Sequence, residues 1–315
     1  MNNQKNYTRG VIFALINCFS LGILGVVDKV GTIQSSNPII FSTQSLLFSV
    51  LFTIIFILVY SKGLPVQSIE KISPSAWKLI LLVGIFSSSL FMLFRFLGLT
   101  QSTGTFATLS QIITTSLTAL LAWIFLKEKL SKVFWIIFAI IIFSVYFVSV
   151  GKITLASVQT GDMFIIIGTF FLAGGNIFSR LAVQKVDPVL VSGLRLFFGL
   201  IFLLLIDLFL LNGLNGLGGI FNHLTIWAIL SGFLVSTGVL GFNLAIKRLG
   251  VTFGTSMLMM APVITMVLEY LFLDYHFTLT QVVAALVVVI SGIALILANN
   301  KPLKSSTTIN IRPWG

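Results

Sequence analysis

The sequence predicts an all-α integral membrane protein of ten transmembrane helices, arranged as two inverted five-helix repeats. Three observations predict this fold class: the composition, the recurrence of long apolar segments, and the similarity of the two halves. Of the 315 residues, 57% are hydrophobic and only 9% are charged, whereas about a quarter of the residues are charged in soluble domains. A soluble fold could not bury this much apolar surface, so the expected surroundings of the chain are lipid.

Apolar segments of roughly 20 residues recur along the chain, and each has the length that a helix needs to cross about 30 Å of hydrocarbon. The predicted spans are residues 11–30, 39–60, 77–98, 104–126, 132–150, 161–181, 189–211, 225–246, 252–273 and 278–299. One proline, Pro262, lies in the middle of a span, the ninth. There it would free a backbone carbonyl one turn earlier and kink the helix.

The basic residues lie mostly in alternate loops. Fifteen of the 19 lysines and arginines fall in one set of loops, Lys29 and Lys152 fall in the other, and Arg95 and Arg195 lie within spans. Since basic residues favour the cytoplasmic side, both termini are expected there, in a multi-pass protein of the plasma or inner membrane. This asymmetry also explains the net charge of +11 without a nucleic-acid partner.

The two halves of the chain match at a nearly constant separation. The matching pairs are Phe13 with Phe164, Lys29 with Arg180, Asn37-Pro38 with Asp187-Pro188, and the run from Ile124 to Ser131 with the run from Leu271 to Thr278. The predicted units are therefore a cytoplasmic N-terminus at 1–10, repeats at 11–150 and 161–299, and a cytoplasmic tail at 300–315. Because each repeat has an odd number of spans, the second enters the membrane upside down. Transporters of this construction bind substrate near the midplane, at the repeat interface.

Two polar stripes mark candidate substrate-binding faces. The stripe on the fourth span is Thr108, Gln111, Thr115 and Thr118, and the stripe on the ninth is Thr255, Met259, Pro262, Met266 and Glu269. Spacings of three and four residues put each set on one helix face. Either these faces line a cavity, or their hydroxyls and methionines serve helix packing.

Charges within spans cost about 2.5–3.5 kcal/mol each on insertion scales and mark functional positions. Arg95, Asp207 and Glu269 lie at one depth, so an ion pair of Arg95 with one of these carboxylates is expected, unless the acids snorkel to the interface. Glu269 would exchange protons if burial disfavoured its charge. The other acids are placed in loops or at their edges: Glu70, Glu128, Asp28, Asp162, Asp187 and Asp274.

Four further polar residues within spans have two interpretations each. Arg195 lies near the start of the seventh span with no acid nearby in sequence, and it either snorkels to the interface or binds a substrate carboxylate. Asn17, Asn176 and Asn243 lie in the first, sixth and eighth spans. Each asparagine forms an interhelical hydrogen bond or contacts the substrate.

Enzyme and metal chemistry find no support in the residue pattern. Cys18 is the one cysteine, and His223 and His276 have no neighbouring ligand pattern, so neither a disulfide framework nor a metal or cofactor site is expected. Acids, histidines or nucleophiles do not cluster as a membrane enzyme would require. A transporter is expected, and the alternatives are a flippase for a lipid-linked substrate and a non-transporting scaffold.

Several stretches carry a resemblance to a known family. They are Ala119–Ser131, Ala245–Gly250, Ala261–Val263 and Arg195. With them the sequence resembles the EamA-type family of the drug/metabolite transporter superfamily over about residues 8–299. It departs from the family pattern at Thr114-Thr115, where proline is common, at Gln44-Ser45, where arginine is common, and at Asp274-Tyr275, where Gly-Glu is usual.

The resemblance implies export, exchange or facilitated passage of amino acids, related metabolites or drug-like compounds across a bacterial plasma membrane. It places a central cavity between the first, third, fourth, sixth, eighth and ninth helices, which would work by alternating access. The expected partners are a small-molecule substrate and membrane lipid, and a homodimer is one assembly that the sequence allows.

Overall fold

The structure is a computed structural model that describes residues 2–35, 37–61, 69–70, 72–126, 130, 132–150, 159–210, 220, 224–249 and 259–299. These residues form ten long helices and no strand. The helices are α1 (Asn2–Gln34), α2 (Pro38–Ser61), α3 (Pro74–Leu99), α4 (Gly104–Leu126), α5 (Lys132–Val150), α6 (Thr160–Val183), α7 (Pro188–Leu210), α8 (Ile226–Leu249), α9 (Ala261–Phe272) and α10 (Leu279–Asn299).

The first seven helices are each long and apolar enough to cross a membrane. Three shorter apolar segments follow, at Ile226–Phe242, Ala261–Phe272 and Leu279–Ala294. A helix satisfies its backbone hydrogen bonds internally, which is what a segment in hydrocarbon requires. The chain is a multi-pass membrane protein.

Six helices form the centre of the bundle. Helix α1 packs along α8 and contacts α3, α4 and α9, while α6 packs against both α3 and α4. Helices α5 and α10 pair with each other, and α2 packs against α7 and α8. Helix α4 thus touches α1, α3, α5, α6, α9 and α10, which leaves few of its faces toward lipid.

Glycines allow the backbones of neighbouring helices to meet at one end of the bundle. A Cβ atom placed on Gly98 of α3 would lie 2.5 Å from the carbonyl oxygen of Gly161 in α6, and one placed on Gly104 would overlap the carbonyl of Gly25 in α1. No side chain fits at such contacts, so the glycines fix how closely α3 approaches α6 and α4 approaches α1.

Helix α3 changes its winding in the middle. Residues Gly84–Leu90 form a π-helical segment between two α-helical segments, Pro74–Val83 and Phe91–Leu99. This segment packs against α6 and α7. π-Helical turns are rare, and where they occur they frequently lie at functional sites.

Helix α9 differs from the predicted ninth span. It begins at Ala261, so Pro262 lies in its first turn, where a missing backbone N–H costs nothing. The kink expected at Pro262 depends on residues 251–258, which lie outside the described residues. At the other end of α9, Asp274 has φ 52°, a conformation in which the glycine usual in the resembling family would be unstrained.

Candidate functional site

Five charged side chains gather where the C-terminal ends of α1, α3 and α9 meet the N-terminal ends of α4 and α6. We call this group the charged cluster; its members are Asp28, Lys29, Arg95, Asp162 and Glu269. Four of the five are buried, and Lys29 is half-buried. Buried charges in a membrane bundle require partners, so the hydrogen bonds of each member define the site.

An ion pair joins α1 and α3. Arg95 Nε lies 3.1 Å from Asp28 Oδ2, with the side chains 2% and 1% exposed. Arg95 Nη1 donates to the carbonyl oxygen of Ala107 at 3.1 Å, and Ser231 Oγ of α8 donates to Asp28 Oδ1 at 2.7 Å. The expected pairing of Arg95 with Asp207 or Glu269 is therefore wrong, because the carboxylate that pairs with Arg95 is that of Asp28.

Glu269 caps the N-terminus of α4. Its Oε1 accepts from the backbone N–H of Gly104 at 2.6 Å, and its Oε2 accepts from the N–H of Thr105 at 2.9 Å and from Thr105 Oγ1 at 2.5 Å. The first N–H groups of a helix have no partner within the helix and attract negative charge. Glu269 supplies that charge from α9, and it does so fully buried, at 1% exposure, without snorkelling.

Lys29 and Asp162 complete the charged cluster. Lys29 Nζ donates to the carbonyl oxygen of Leu99 at 2.7 Å, and it interacts electrostatically with Glu269 and Asp162. Asp162 accepts hydrogen bonds from the hydroxyls of Ser102 and Ser149. These contacts tie α6 to the α3–α4 connection and to the end of α5.

Two acids expected in loops or at their edges are in fact interior. Asp28 lies six residues before the end of α1, and Asp162 is the third residue of α6. The expectation is wrong for Asp28, which lies within α1; Asp162 does lie at the edge of a helix, but its carboxylate is buried against neighbouring helices. The sequence did contain a signal for the burial of these two acids, because both fall inside predicted spans, at the depth of Arg95, where charge is costly.

Asp207 is buried apart from the cluster, between α7 and α2. Thr43 Oγ1 donates to its Oδ2 at 2.5 Å, and no described residue lies within hydrogen-bonding distance of its Oδ1. Its carboxyl is 0% exposed and does not snorkel to an interface. Among the described residues there is also no group of three or more side chains that could hold a metal ion.

The stripe on α4 divides into a buried part and an accessible part. Thr108 is buried and bonds within its own helix, to the carbonyls of Gly104 and Thr105. The other three members are half-buried, and we call them the polar face: Gln111, Thr115 and Thr118. Asn176 Nδ2 of α6 donates to Thr118 Oγ1 at a long distance, 3.4 Å.

The remaining members of the second stripe serve packing in part. Met259 is buried, with its sulfur against Gly292 of α10, and Met266 is half-buried beside the hydrophobic core. Asn17 is buried where α1 meets Gly238 and Gly241 of α8. Thr255 and the side chain of Asn243 lie outside the described residues.

Arg195 lies on α7 beside the π-helical segment of α3. Its carbonyl oxygen faces Gly84, and its buried Nε has no hydrogen-bond partner among the described residues. Four buried hydroxyls also have no partner among the described residues: those of Ser87, Ser88 and Ser89 in the π-helical segment, and that of Ser116 on α4. A buried polar atom without a partner is costly. In the charged cluster one such atom occurs among the described residues, Arg95 Nη2, whereas the Nε and Nη1 atoms of the same side chain are bonded.

A family model for EamA-like transporters matches residues 8–150 and again residues 159–298. The chain belongs to the EamA-like transporter family. One solved structure, described as "Crystal structure of protein", is 15% identical to this EamA-like chain, with a TM-score of 0.61; the match covers 94% of this chain and 99% of the other. No curated protein matches.

The two matched regions confirm the resemblance drawn from the sequence and the presence of two repeats. This EamA-like protein is a membrane transporter of the drug/metabolite type. The solved structure, at 15% identity, supports the fold alone. Substrate and mechanism have to be argued from the arrangement of the polar residues.

Proposed function

We propose that the protein is a carrier, an exporter or facilitator, for small organic metabolites such as amino acids or drug-like compounds, and that it works by alternating access. One observation carries the proposal. From Gly104 to Leu117 of α4, every residue is buried except Gln111 and Thr115. A helix enclosed by six others thus has one accessible face, and that face is polar.

One member of the polar face, Thr118, contacts α6. Thr118 follows Gln111 and Thr115 on the same side of the helix and accepts the hydrogen bond from Asn176. Amide and hydroxyl groups both donate and accept, so together they suit zwitterions and other small polar compounds. Arg195, with its partnerless Nε, is a candidate for a substrate carboxylate.

Accessibility along α4 is lost toward the charged cluster. Thr105 and Thr108 are 0% and 3% exposed, whereas Gln111, Thr115 and Thr118, farther along the same helix, are half-buried. This difference supports a bundle that is closed at the charged cluster and in which the polar face is reached from the other end. A carrier closed at one end and accessible from the other is what alternating access requires.

The proposed topology has ten spans, with the second five-helix repeat inverted relative to the first. Support comes from the two matched regions and from the basic residues, whose distribution favours cytoplasmic termini and a charged cluster toward the outside of the plasma membrane. Substrate enters from the cytoplasm in this state. Membrane lipid surrounds the bundle, and a homodimer remains compatible with it.

Counterflow in proteoliposomes tests the function. Proteoliposomes that contain the purified full-length protein would be loaded with one unlabelled compound of an amino-acid and nucleobase panel. The same compound, radiolabelled, would then be added outside. Saturable counterflow of a panel member is expected. No flux for the whole panel, from protein shown to be folded, would contradict a metabolite carrier and favour a lipid-linked substrate or a scaffold.

The role of the polar face is tested by cysteine substitutions at two adjacent positions, Thr115 and Thr114. In a Cys18→Ala background, Thr115→Cys is expected to react with a small polar thiol reagent and to be protected by the compound that shows counterflow. Thr114→Cys is the matched control, because Thr114 is buried and its hydroxyl bonds to the carbonyl of Ser110. Equal reactivity at both positions, or no protection at Thr115, would contradict the assignment.

A further inference from the structure

The charged cluster contains more carboxylates than cations. Among the described residues, Lys29 and Arg95 face Asp28, Asp162 and Glu269. With all five ionised, the cluster carries one net negative charge in an interior where an uncompensated charge is strongly unfavourable. One proton on one carboxylate makes the sum zero, and hydrogen-bond geometry determines which carboxylate can take it.

Asp28 and Glu269 are held as anions. The partners of Asp28 include the Arg95 guanidinium, which has no acceptor, and those of Glu269 include the backbone N–H groups of Gly104 and Thr105. A proton on Asp28 Oδ2 or on Glu269 Oε1 would point at a group that can only donate. A proton on the other oxygen, which accepts from the hydroxyl of Ser231 or of Thr105, would remove the negative charge that pairs with Arg95 or with the N-terminus of α4. Both sites therefore oppose protonation while the cluster is assembled.

Asp162 is different, because its hydrogen-bond partners among the described residues are two hydroxyls, those of Ser102 and Ser149. A hydroxyl donates or accepts by rotating about its C–O bond. A protonated Asp162 can donate to one serine oxygen, and that serine can turn its hydrogen to another acceptor. The same heavy-atom positions thus accommodate both the carboxylate and the carboxylic acid.

The other titratable groups that act on Asp162 come from two elements. Lys29 of α1 attracts its negative charge, and Tyr275, after α9, interacts with both Asp162 and Glu269. Burial raises the pKa of the Tyr275 phenol, so that this group stays neutral and adds no charge. Lys29 is shared between Asp162 and Glu269, and one ammonium cannot neutralise two carboxylates.

We propose that Asp162 is a proton-binding site and that this transporter couples substrate movement to protons through it. The proton comes from water at the charged end, binds a carboxyl oxygen of Asp162, and leaves Lys29 to balance Glu269. Coupling rests on the proposed carrier function, whereas proton binding does not. The two parts are therefore tested by separate measurements.

Proton binding is tested by infrared spectroscopy of the full-length protein in lipid, titrated from alkaline to acidic pH. A carbonyl band of a protonated carboxyl group is expected on acidification, and heavy-isotope labelling of the aspartate carboxyl carbons should displace it. Asp162→Asn should abolish the titrating band. Glu269→Gln and Asp207→Asn, the matched controls, should retain it; loss in either control instead, or persistence in Asp162→Asn, would overturn the assignment.

A milder variant guards against misfolding of Asp162→Asn. Ser102→Ala keeps the carboxyl and removes one hydroxyl that stabilises its ionised form, so the midpoint of the titrating band should move up by about one pH unit, a tenfold change in proton affinity. An unchanged midpoint would contradict the assignment to Asp162.

Coupling is tested in proteoliposomes with the same amino-acid and nucleobase panel. With the wild-type protein, a pH gradient should raise substrate accumulation at least tenfold above the level reached without a gradient. Asp162→Asn should lose that accumulation while counterflow persists. Wild-type counterflow that ignores the gradient would overturn the coupling and leave the carrier function intact. Absence of wild-type transport would instead reject the carrier function, with the infrared result unaffected.

Discussion

The charged cluster and the polar face of α4 are both polar regions within an apolar bundle, but they are bonded in different ways. In the cluster, Glu269 alone accepts three hydrogen bonds of 2.5 to 2.9 Å across two helices. On the polar face, the interhelical bond from Asn176 to Thr118 is 3.4 Å long, and the side chains are half-buried. The cluster fastens helices together, whereas the polar face has weak bonds that a ligand can replace.

Under the proposed alternating access, the bundle has to open at the charged cluster. The residues of that cluster and their hydrogen-bond partners join α1, α3, α4, α6 and α9, so opening there breaks charge-assisted bonds, which are the strong ones. A carrier can reverse such a closure only if compensating interactions form elsewhere. Variants that weaken one region and spare the other test the comparison.

The largest effect is expected at the ion pair between α1 and α3. Arg95→Ala and Asp28→Ala should each destabilise the folded protein by about 3–5 kcal/mol, because each leaves an uncompensated buried charge. Thermal unfolding in detergent would measure the loss. The double variant should lose less than the sum of the single variants, since no charge is then left alone.

Lys185→Ala is the control for the ion pair. Lys185 is exposed and donates to Ser75 at 3.2 Å, so its loss should change stability by no more than about 0.5 kcal/mol. Additive losses in Arg95→Ala and Asp28→Ala would mean that the two charges do not stabilise each other and that the cluster is not the fastening described above.

Close helix packing gives the next effect. Gly98→Ala places a methyl group 2.5 Å from the carbonyl oxygen of Gly161, a backbone atom that cannot move aside, and should cost about 1–3 kcal/mol. Gly174→Ala is the matched substitution, because its methyl group would lie 3.4 Å from the ring of Phe86, an ordinary contact. Alanine favours helix over glycine, so Gly174→Ala should be neutral or stabilising by up to about 1 kcal/mol.

Opposite signs for Gly98→Ala and Gly174→Ala, measured by thermal unfolding, would support the tight contact between α3 and α6. Equal effects would show that α3 and α6 do not approach this closely in the membrane.

Glu269→Gln gives a smaller effect within the charged cluster. The amide of glutamine has one acceptor oxygen where the carboxylate has two, so one N–H at the start of α4 loses its acceptor, at a cost of about 1–2 kcal/mol. Thermal unfolding measures this cost, with Glu70→Gln as a control, since Glu70 is exposed. A variant as stable as the wild type would contradict the capping role.

The sequence predicted the helical membrane fold, and the two matched family regions confirm the family and its two repeats. Period and composition suffice for this, because a helix that crosses lipid needs about 20 apolar residues whatever its partners are. The partners themselves could not be predicted. Arg95 was expected to pair with Asp207 or Glu269, but α1 lies beside α3 and presents Asp28 first.

The candidate site was predicted unevenly for the same reason. A stripe at helical spacing shows which residues share a face, as for Gln111, Thr115 and Thr118, but not what the face meets. Asp162 lies near the start of α6, as expected, but its burial could not be predicted, because its hydroxyl partners come from residues 13 and 60 positions away in the chain. Contacts at such separations depend on tertiary packing, which no local pattern reports.

The smallest effect on stability, and the sharpest test of the polar face, is expected at Thr118. Thr118→Val preserves the shape of the side chain and removes a hydroxyl whose interhelical bond is long, so stability should fall by less than about 1 kcal/mol. If the polar face contacts substrate, the same change should raise the substrate concentration at half-saturation of counterflow several-fold, because a substrate polar group then lacks its partner. Thr114→Val is the control, since its hydroxyl bonds within α4 and should leave counterflow unchanged. Suppose instead that Thr118→Val loses as much stability as Arg95→Ala and leaves the substrate concentration at half-saturation unchanged. The polar face would then serve to hold helices together, as the charged cluster does, and the distinction between the two regions would be wrong.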